Sequence, residues 1–211
     1  MVKVILIRHG ETDWNTQQIF RGRIDIPLNE SGLAQARAVR ESLKDTKIDR
    51  IYSSPLSRAF ETARILGENR NLKIETEEAF VDIDFGKWQG LANHKVREAH
   101  KDLYEMWLNN PHTVTFPEGE SLEMVRTRSG KALEEIVKKH PGETIAIVSH
   151  RVLNKVLLCA VLGVELSQFW YIRQDTCAIN IFEYKDGAFY LTLLNDTCHL
   201  KKIEGTSRVD F

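Results

Sequence analysis

Three times along the chain a strand-like apolar run delivers a basic side chain to the place where strand gives way to helix or loop. Val2 to Ile7, interrupted only by Lys3, is rich in β-branched residues and ends at Arg8-His9-Gly10. Ile48 to Ser53 is followed by Ser54-Pro55, which reads as an N-cap and first helical position of a helix running to about Glu68, with Arg58 one turn in. Glu143 to Ser149 leads into His150 and a helix from Arg151 to about Leu162. Ser31 to Lys44 has Leu33, Ala36, Val39 and Leu43 at near-helical spacing, and Glu118 to Lys139 contains a long amphipathic helix. Ala178 to Tyr184 and Phe189 to Leu194 alternate as a hairpin turned by Lys185-Asp186-Gly187. Strand-helix units of this kind predict an α/β sheet covered on both faces. Ligands of such sheets sit beyond the carboxyl ends of the strands, where His9, Arg58 and His150 converge.

Composition narrows the function classes. The 211 residues are 42% hydrophobic and 28% charged, with a net charge of -1. That is enough apolar side chain for a sizeable core, and no repeat or low-complexity linker divides the chain, so residues 1-211 are read as one domain. The balanced charge points away from nucleic acid and from anionic membranes, and the longest apolar runs are too short to span a bilayer. No signal peptide is visible, and Cys159, Cys177 and Cys198 are odd in number and widely spaced. They read as small buried hydrophobes in a reducing cytosol.

Arginines and histidines at strand ends suit phosphoryl transfer. A phosphate monoester carries nearly two negative charges, and its loose transition state spreads charge over the equatorial oxygens. Arg8 and Arg58 offer planar forks for those oxygens, Asn15 adds an amide donor, and Gly22 lets backbone come close. The free N–H groups and dipole of the helix start that holds Arg58 also favour an anion. His9 is the candidate nucleophile, giving a phosphohistidine that water later resolves. A carboxylic acid must protonate the leaving oxygen, and Asp82 and Asp84 are both candidates. Taken singly, a histidine after a strand, a Ser-Pro-x-x-Arg or an Asp-Ile-Asp is more often structural. Their combination carries the reading.

Leu6-Ile7-Arg8-His9-Gly10-Glu11-Thr12-Asp13-Trp14-Asn15 closely resembles the signature of the histidine phosphatase superfamily, the phosphoglycerate mutase-like proteins. The resemblance continues in order through Phe20-Arg21-Gly22, Pro27-Leu28-Asn29, Ser31-Gly32 and Tyr52 to Ala59. It runs on through Asp84 to Gly90, Pro117-Glu118-Gly119-Glu120-Ser121 and Val148-Ser149-His150. It implies a three-layer α/β/α sandwich with a mostly parallel central sheet and a phosphorylated His9. Arg8, Arg58 and His150 would form the phosphate pocket, with Asn15, Arg21 and Gly22 at its rim. Asp82 falls where the family usually has a glutamate as proton donor, with Asp84 as fallback. No metal and no cofactor are expected. Three residues depart from the pattern. Asp82 is one methylene short, Arg21 replaces a neutral polar residue, and Arg151 stands where glycine is common, either charging the pocket mouth or folding outward.

Mutases of the family carry a longer insert than Leu91 to Glu118, whose Lys95, Arg97 and Lys101 are spaced like a solvated helix face. A short cap neither holds a second phosphate nor excludes water, so hydrolysis is favoured over phosphoglycerate mutase activity. Gln174 to Asn180 and Leu194 to Leu200 resemble the α-ribazole phosphatase branch, and Val161 to Trp170 resembles metal-independent phosphoserine phosphatases. A small phosphorylated substrate of either kind, or a broad range, is expected. Phe20, Phe85, Trp88 and Trp107 are read mainly as core. The rival classes are a metallophosphatase, unsupported by any His-Glu-x-x-His, and a non-catalytic phosphate-binding module. The terminal hairpin offers an edge through which two copies could pair as a homodimer.

Overall fold

The computed structural model describes residues 1–201. Its sheet has six strands: β1 (Val2–Arg8), β2 (Arg50–Ser53), β3 (Ile74–Thr76), β4 (Thr144–Ser149), β5 (Ile179–Lys185) and β6 (Ala188–Asp196), in the order β3-β2-β4-β1-β5-β6. β3, β2, β4 and β1 pair in parallel, while β5 runs antiparallel to both β1 and β6. The sheet is therefore mixed but mostly parallel, as expected.

Alternation along β1 builds the two cores. Val2, Val4 and Leu6 enter one buried cluster, whereas Ile5 and Ile7 enter the other. The first cluster is covered by α6 (Leu122–Lys139) and α7 (Arg151–Leu162). The second is covered by α2 (Glu30–Ser42) and α3 (Ser57–Gly67). Because both faces are buried, β1 and β4 read as continuous apolar runs. Between β3 and α6 lie two short helices, α4 (Asn93–Ala99) and α5 (Lys101–Asn109), after the four-residue α1 (Asp13–Thr16) near the start. Phe20, Phe85, Trp88, Trp107 and Phe116 pack edge to face here, and all are buried, which is the core role expected for them. No helix among the described residues is long and apolar enough to cross a membrane.

Caps fix the helix starts. The Asn29 side chain accepts from Gly32 N at 2.8 Å, and that of Ser121 accepts from Met124 N at 3.3 Å. One predicted start is corrected. Ser54 does not cap α3, nor is Pro55 its first residue. The helix begins at Ser57, whose N–H and hydroxyl donate to the Asp25 carboxylate at 2.8 and 2.7 Å. The Ser54 hydroxyl lies 2.7 Å from His150 Nε2 and accepts from Leu56 N at 3.3 Å, one residue short of the helix. Cys159 and Cys177 are buried as expected, but Cys198 is exposed, so that reading fails for one of the three. It begins a short 3₁₀ turn after the sheet's edge strand, and Leu200 rather than Cys198 is the residue of that turn that enters the second core.

Candidate active site

β1 and β4 are paired in register, so Arg8 lies opposite Ser149 and the two strands release His9 and His150 side by side. The imidazole centroids are 5.3 Å apart. Parallel pairing of β4 with β2 brings Ser53-Ser54 to the same edge. Three strands thus converge at their carboxyl ends, and His9, His150 and Arg58 are completely buried there.

His9 is held in one tautomer. Its Nδ1 lies 2.6 Å from the Gly10 carbonyl oxygen. A carbonyl only accepts, so Nδ1 carries the proton and Nε2 keeps its lone pair. Nε2 has no hydrogen-bond partner among the described residues. Burial, followed by the charge of Arg58, the repulsion that a second protonated ring at His150 would meet, and the charges of Arg8 and Arg21, pushes the His9 pKa well below the ordinary histidine value. The ring is therefore neutral at pH 7. Burial acts the same way on His150, assisted by Arg58, Arg21, Arg128 and Arg8. The Nε2 of His150 meets the Ser54 hydroxyl at 2.7 Å.

The loop behind His9 is tightly seated. A Cβ on Gly10 would lie 2.5 Å from the Gly32 carbonyl, and one on Gly32 would lie 2.1 Å from the Glu11 carbonyl. Glycine at both positions is what lets the start of α2 press against the loop that follows His9. Asn15 is anchored through its oxygen, which accepts from Thr12 N at 3.0 Å and from the Thr12 hydroxyl at 2.9 Å. That leaves the amide N–H₂ as its donor end.

The arginines are aimed by backbone carbonyls. Arg58 donates to Gly22 O at 2.8 Å and to Ile24 O at 3.0 Å. Gly22 has φ +52°, and a Cβ there would fall 2.2 Å from Gln89 Oε1, so glycine is needed to turn this carbonyl onto Arg58. Arg8 donates to the Gln174 carbonyl, and Gln174 is gripped by Asn180, whose amide also bonds Leu6 O at 3.1 Å. Burial lowers the pKa of Arg58, which the Asp82 carboxylate, 3.6 Å away, counters. Asp82 Oδ2 also lies 3.9 Å from His150 Nδ1. The structure thus places Arg8, His9, Arg58, Asp82 and His150 together.

The two aspartates differ in surroundings. Asp82 is buried beside Arg58 and His150. Asp84 caps the turn at Gly86 N (2.8 Å) and faces Arg23 at 3.8 Å, away from the histidines. Arg21 and Arg151 are both buried and line one small cavity with Phe20, Phe85 and Asp82. Arg151 therefore faces the pocket mouth, the first of its two predicted placements, and its guanidinium lies 6.0 Å from the Trp170 ring centroid.

Sequence reasoning missed the supports. Ser54 and Gln174 hold His150 and Arg8, yet each is an ordinary polar residue in isolation. Arg128 is the larger omission. It donates to the carbonyls of Ala79 (2.7 Å), Val81 (2.9 Å) and Asp82 (3.1 Å), and it forks onto Glu120 at 2.9 and 3.0 Å. Glu120 in turn accepts from Asp84 N at 3.0 Å. The Gly-Glu-Ser motif was the available signal, since a glutamate fixed between a glycine and a helix cap invites a search for its cation. Among the described residues, no group of three His, Cys, Asp or Glu side chains could hold a metal ion.

The comparisons agree with this geometry. Residues 4–197 match the model of the histidine phosphatase superfamily (branch 1). Phosphoserine phosphatase 1 of Hydrogenobacter thermophilus is 38% identical over 200 residues, covering 95% of each chain. The solved structure of Bacillus stearothermophilus YhfR superposes with a TM-score of 0.92 at 30% identity, over 95% of this chain and 100% of that one. The α-ribazole phosphatase of Shigella flexneri superposes with a TM-score of 0.84 at 25% identity, over 92% and 96%. On the family model and on its likeness to these relatives, the chain belongs to the histidine phosphatase superfamily.

Proposed function

We propose that this phosphatase acts as a single domain on small phosphate monoesters, by way of a phosphohistidine on His9 and without a metal. The observation that carries the reading is the His9–Gly10 contact. It fixes the proton on Nδ1 and leaves a buried, neutral Nε2 among arginines. In that reading Arg8, Arg58 and His150 bind the phosphoryl oxygens, with Asn15 as a further donor and the Gly22 carbonyl holding Arg58. Their charge is fixed before the reaction and opposes the charge that builds on the equatorial oxygens.

In the reacting complex Asp82 is in its protonated, carboxylic acid form: His9 Nε2 attacks phosphorus in line, the P–O ester bond breaks, and Asp82 gives its proton to the departing alkoxide. Asp82, now a carboxylate, takes a proton from water as that water attacks the phosphohistidine. Inorganic phosphate leaves and both groups return to their starting states. Asp82 is preferred to Asp84 because it stands beside Arg58 and His150, while Asp84 is turned into a capping contact.

A rapid-quench experiment tests the reading. Purified protein in EDTA is mixed with a ³²P-labelled monoester and digested for peptide mapping. Acid-labile label on the peptide holding His9, absent from His9→Ala, is expected. Turnover that survives in His9→Ala would remove His9 as nucleophile, and turnover that requires added metal would favour a metallophosphatase. Phosphate binding with no turnover of any ester would leave only the binding module.

A further inference from the structure

The second half of the cycle needs a water in one particular place. His9 attacks phosphorus in line, so the alkoxide departs from the face opposite Nε2. The water that later frees His9 must enter on that same face. The group that served the alkoxide also serves the water, so the water's site is the space that Asp82 lines. This inference therefore rests on the reading above.

That space is a small cavity walled by the rings of Phe20 and Phe85 and by Val152, with Arg21 and Asp82 among its lining residues. Its free volume is about 10 Å³, enough for a single water. A water held there needs polar partners as well as room. Arg21 is 7% exposed, and its Nε and Nη1 have no hydrogen-bond partner among the described residues. Arg58, by contrast, is aimed by the carbonyls of Gly22 and Ile24. Buried donors left unfilled are costly, and an acceptor in the cavity answers them. The Asp82 carboxylate offsets part of the repulsion that Arg21 meets from Arg8 and Arg58, so guanidinium and carboxylate share one neighbourhood. The phosphoryl oxygens already have Arg8, Arg58, His150 and Asn15.

We propose that Arg21 is a further catalytic residue, which holds the water that hydrolyses the phosphohistidine. A guanidinium N–H donates into one lone pair of that water, and the water donates one proton to the Asp82 carboxylate. The second lone pair is left facing phosphorus. The water oxygen bonds to phosphorus as the Nε2–P bond breaks, the bonding pair returns to Nε2, and the proton passes to Asp82. A water held in attacking position outcompetes an alcohol arriving from solution. Arg21 thereby directs the phosphoenzyme to hydrolysis rather than to transfer.

Rapid-quench and partitioning kinetics with ³²P-labelled p-nitrophenyl phosphate test this. Nitrophenolate leaves without a proton, so its release reports formation of the phosphohistidine separately from its loss. In the native protein added glycerol should divert little of the phosphoryl group into glycerol phosphate. Arg21→Gln should slow loss of the phosphohistidine about tenfold or more, with a smaller effect on its formation. A burst of nitrophenol should then appear, label should accumulate on His9, and glycerol should capture at least tenfold more of the phosphoryl group. Arg21→Lys should restore part of the hydrolysis. A purely structural role would slow both steps together and leave the division between water and glycerol as in the native protein, and that result overturns the proposal. If Arg21→Gln does not fold, Arg21→Lys carries the same measurement with a smaller shift, and an unchanged division there overturns it as well. Label on His9 of the native protein keeps the phosphohistidine reading standing in either event, whereas its absence removes both.

Discussion

Arg128 donates to the backbone carbonyl of Asp82 at 3.1 Å from a helix forty-six residues further along the chain. The same guanidinium holds the carbonyls of Ala79 and Val81 and is itself held by Glu120. The segment carrying the candidate acid has little regular structure of its own, so these bonds set where its carboxyl stands. Arg128→Gln should therefore slow cleavage of alkyl phosphates by tenfold or more, and p-nitrophenyl phosphate by much less. It should also lower stability by about 1–3 kcal/mol, because Glu120 loses one of its two arginines and three backbone carbonyls lose their donor. Thermal melting and the two kcat values check this. Equal losses on both esters would show a general loosening rather than displacement of the acid.

Asp82→Asn should slow alkyl phosphate cleavage by roughly 100-fold or more, the usual contribution of a positioned acid. Nitrophenolate leaves without a proton, so its ester should be far less affected. In the double variant, Arg128→Gln should add little to Asp82→Asn on alkyl esters, since both act on one proton transfer. Additive losses would place Arg128 outside that step.

His9 and His150 are held neutral by burial among arginines. The unfolded chain binds protons at both near pH 6.5, and the folded chain does so only well below. The unfolded state thus binds more protons in that window, and stability is lost as pH falls below about 6.5. Each histidine contributes a slope of up to about 1.4 kcal/mol per pH unit. Denaturant midpoints between pH 7.5 and 5 should fall, and His9→Gln should flatten the slope. Turnover should not show an acid limb at the ordinary histidine pKa, because His9 stays deprotonated there.

Ser54→Ala removes the hydroxyl 2.7 Å from His150 Nε2. The imidazole loses its orienting bond in a buried site, so kcat should fall about tenfold, with stability reduced by about 1–2 kcal/mol. Circular dichroism melts beside kinetics check it. Unchanged kcat with the same stability loss would make Ser54 a packing residue only.

How much of this was legible in the sequence depends on burial. β1 and β4 are covered on both faces, and their unbroken apolar runs announced them. The β5–β6 hairpin showed itself by alternation. β3 did not, because Ile74–Thr76 is a three-residue edge strand that is only partly buried. α4 and α5 surfaced only as a spacing of basic residues, since their short helices bury few side chains beyond Val96, Tyr104 and Trp107. Ser54-Pro55 has every local mark of a helix start, yet the Ser54 hydroxyl meets Leu56 N, one residue ahead of the helix, and His150 arriving from another strand. Arg8, His9 and His150 stood out because they lie at strand ends, and Arg58 because it lies one turn beyond one, whereas Asp82, in a loop well past β3, showed only as a carboxylate in Asp-Ile-Asp and by resemblance. Arg128 did not stand out, because an arginine on an amphipathic helix looks solvated until the loop it grips is folded against it.

The close seating of Gly10 on Gly32, and of Gly32 on Glu11, has a consequence for how this site can change. With no room for even a methyl group at either glycine, the loop that carries His9 has nowhere to recoil on that side. Adjustment to new esters is left to the opposite wall, where side chains from residues 21, 82 and 151 meet. One half of the pocket is thus fixed by its backbone, and the other is open to retuning without disturbing it.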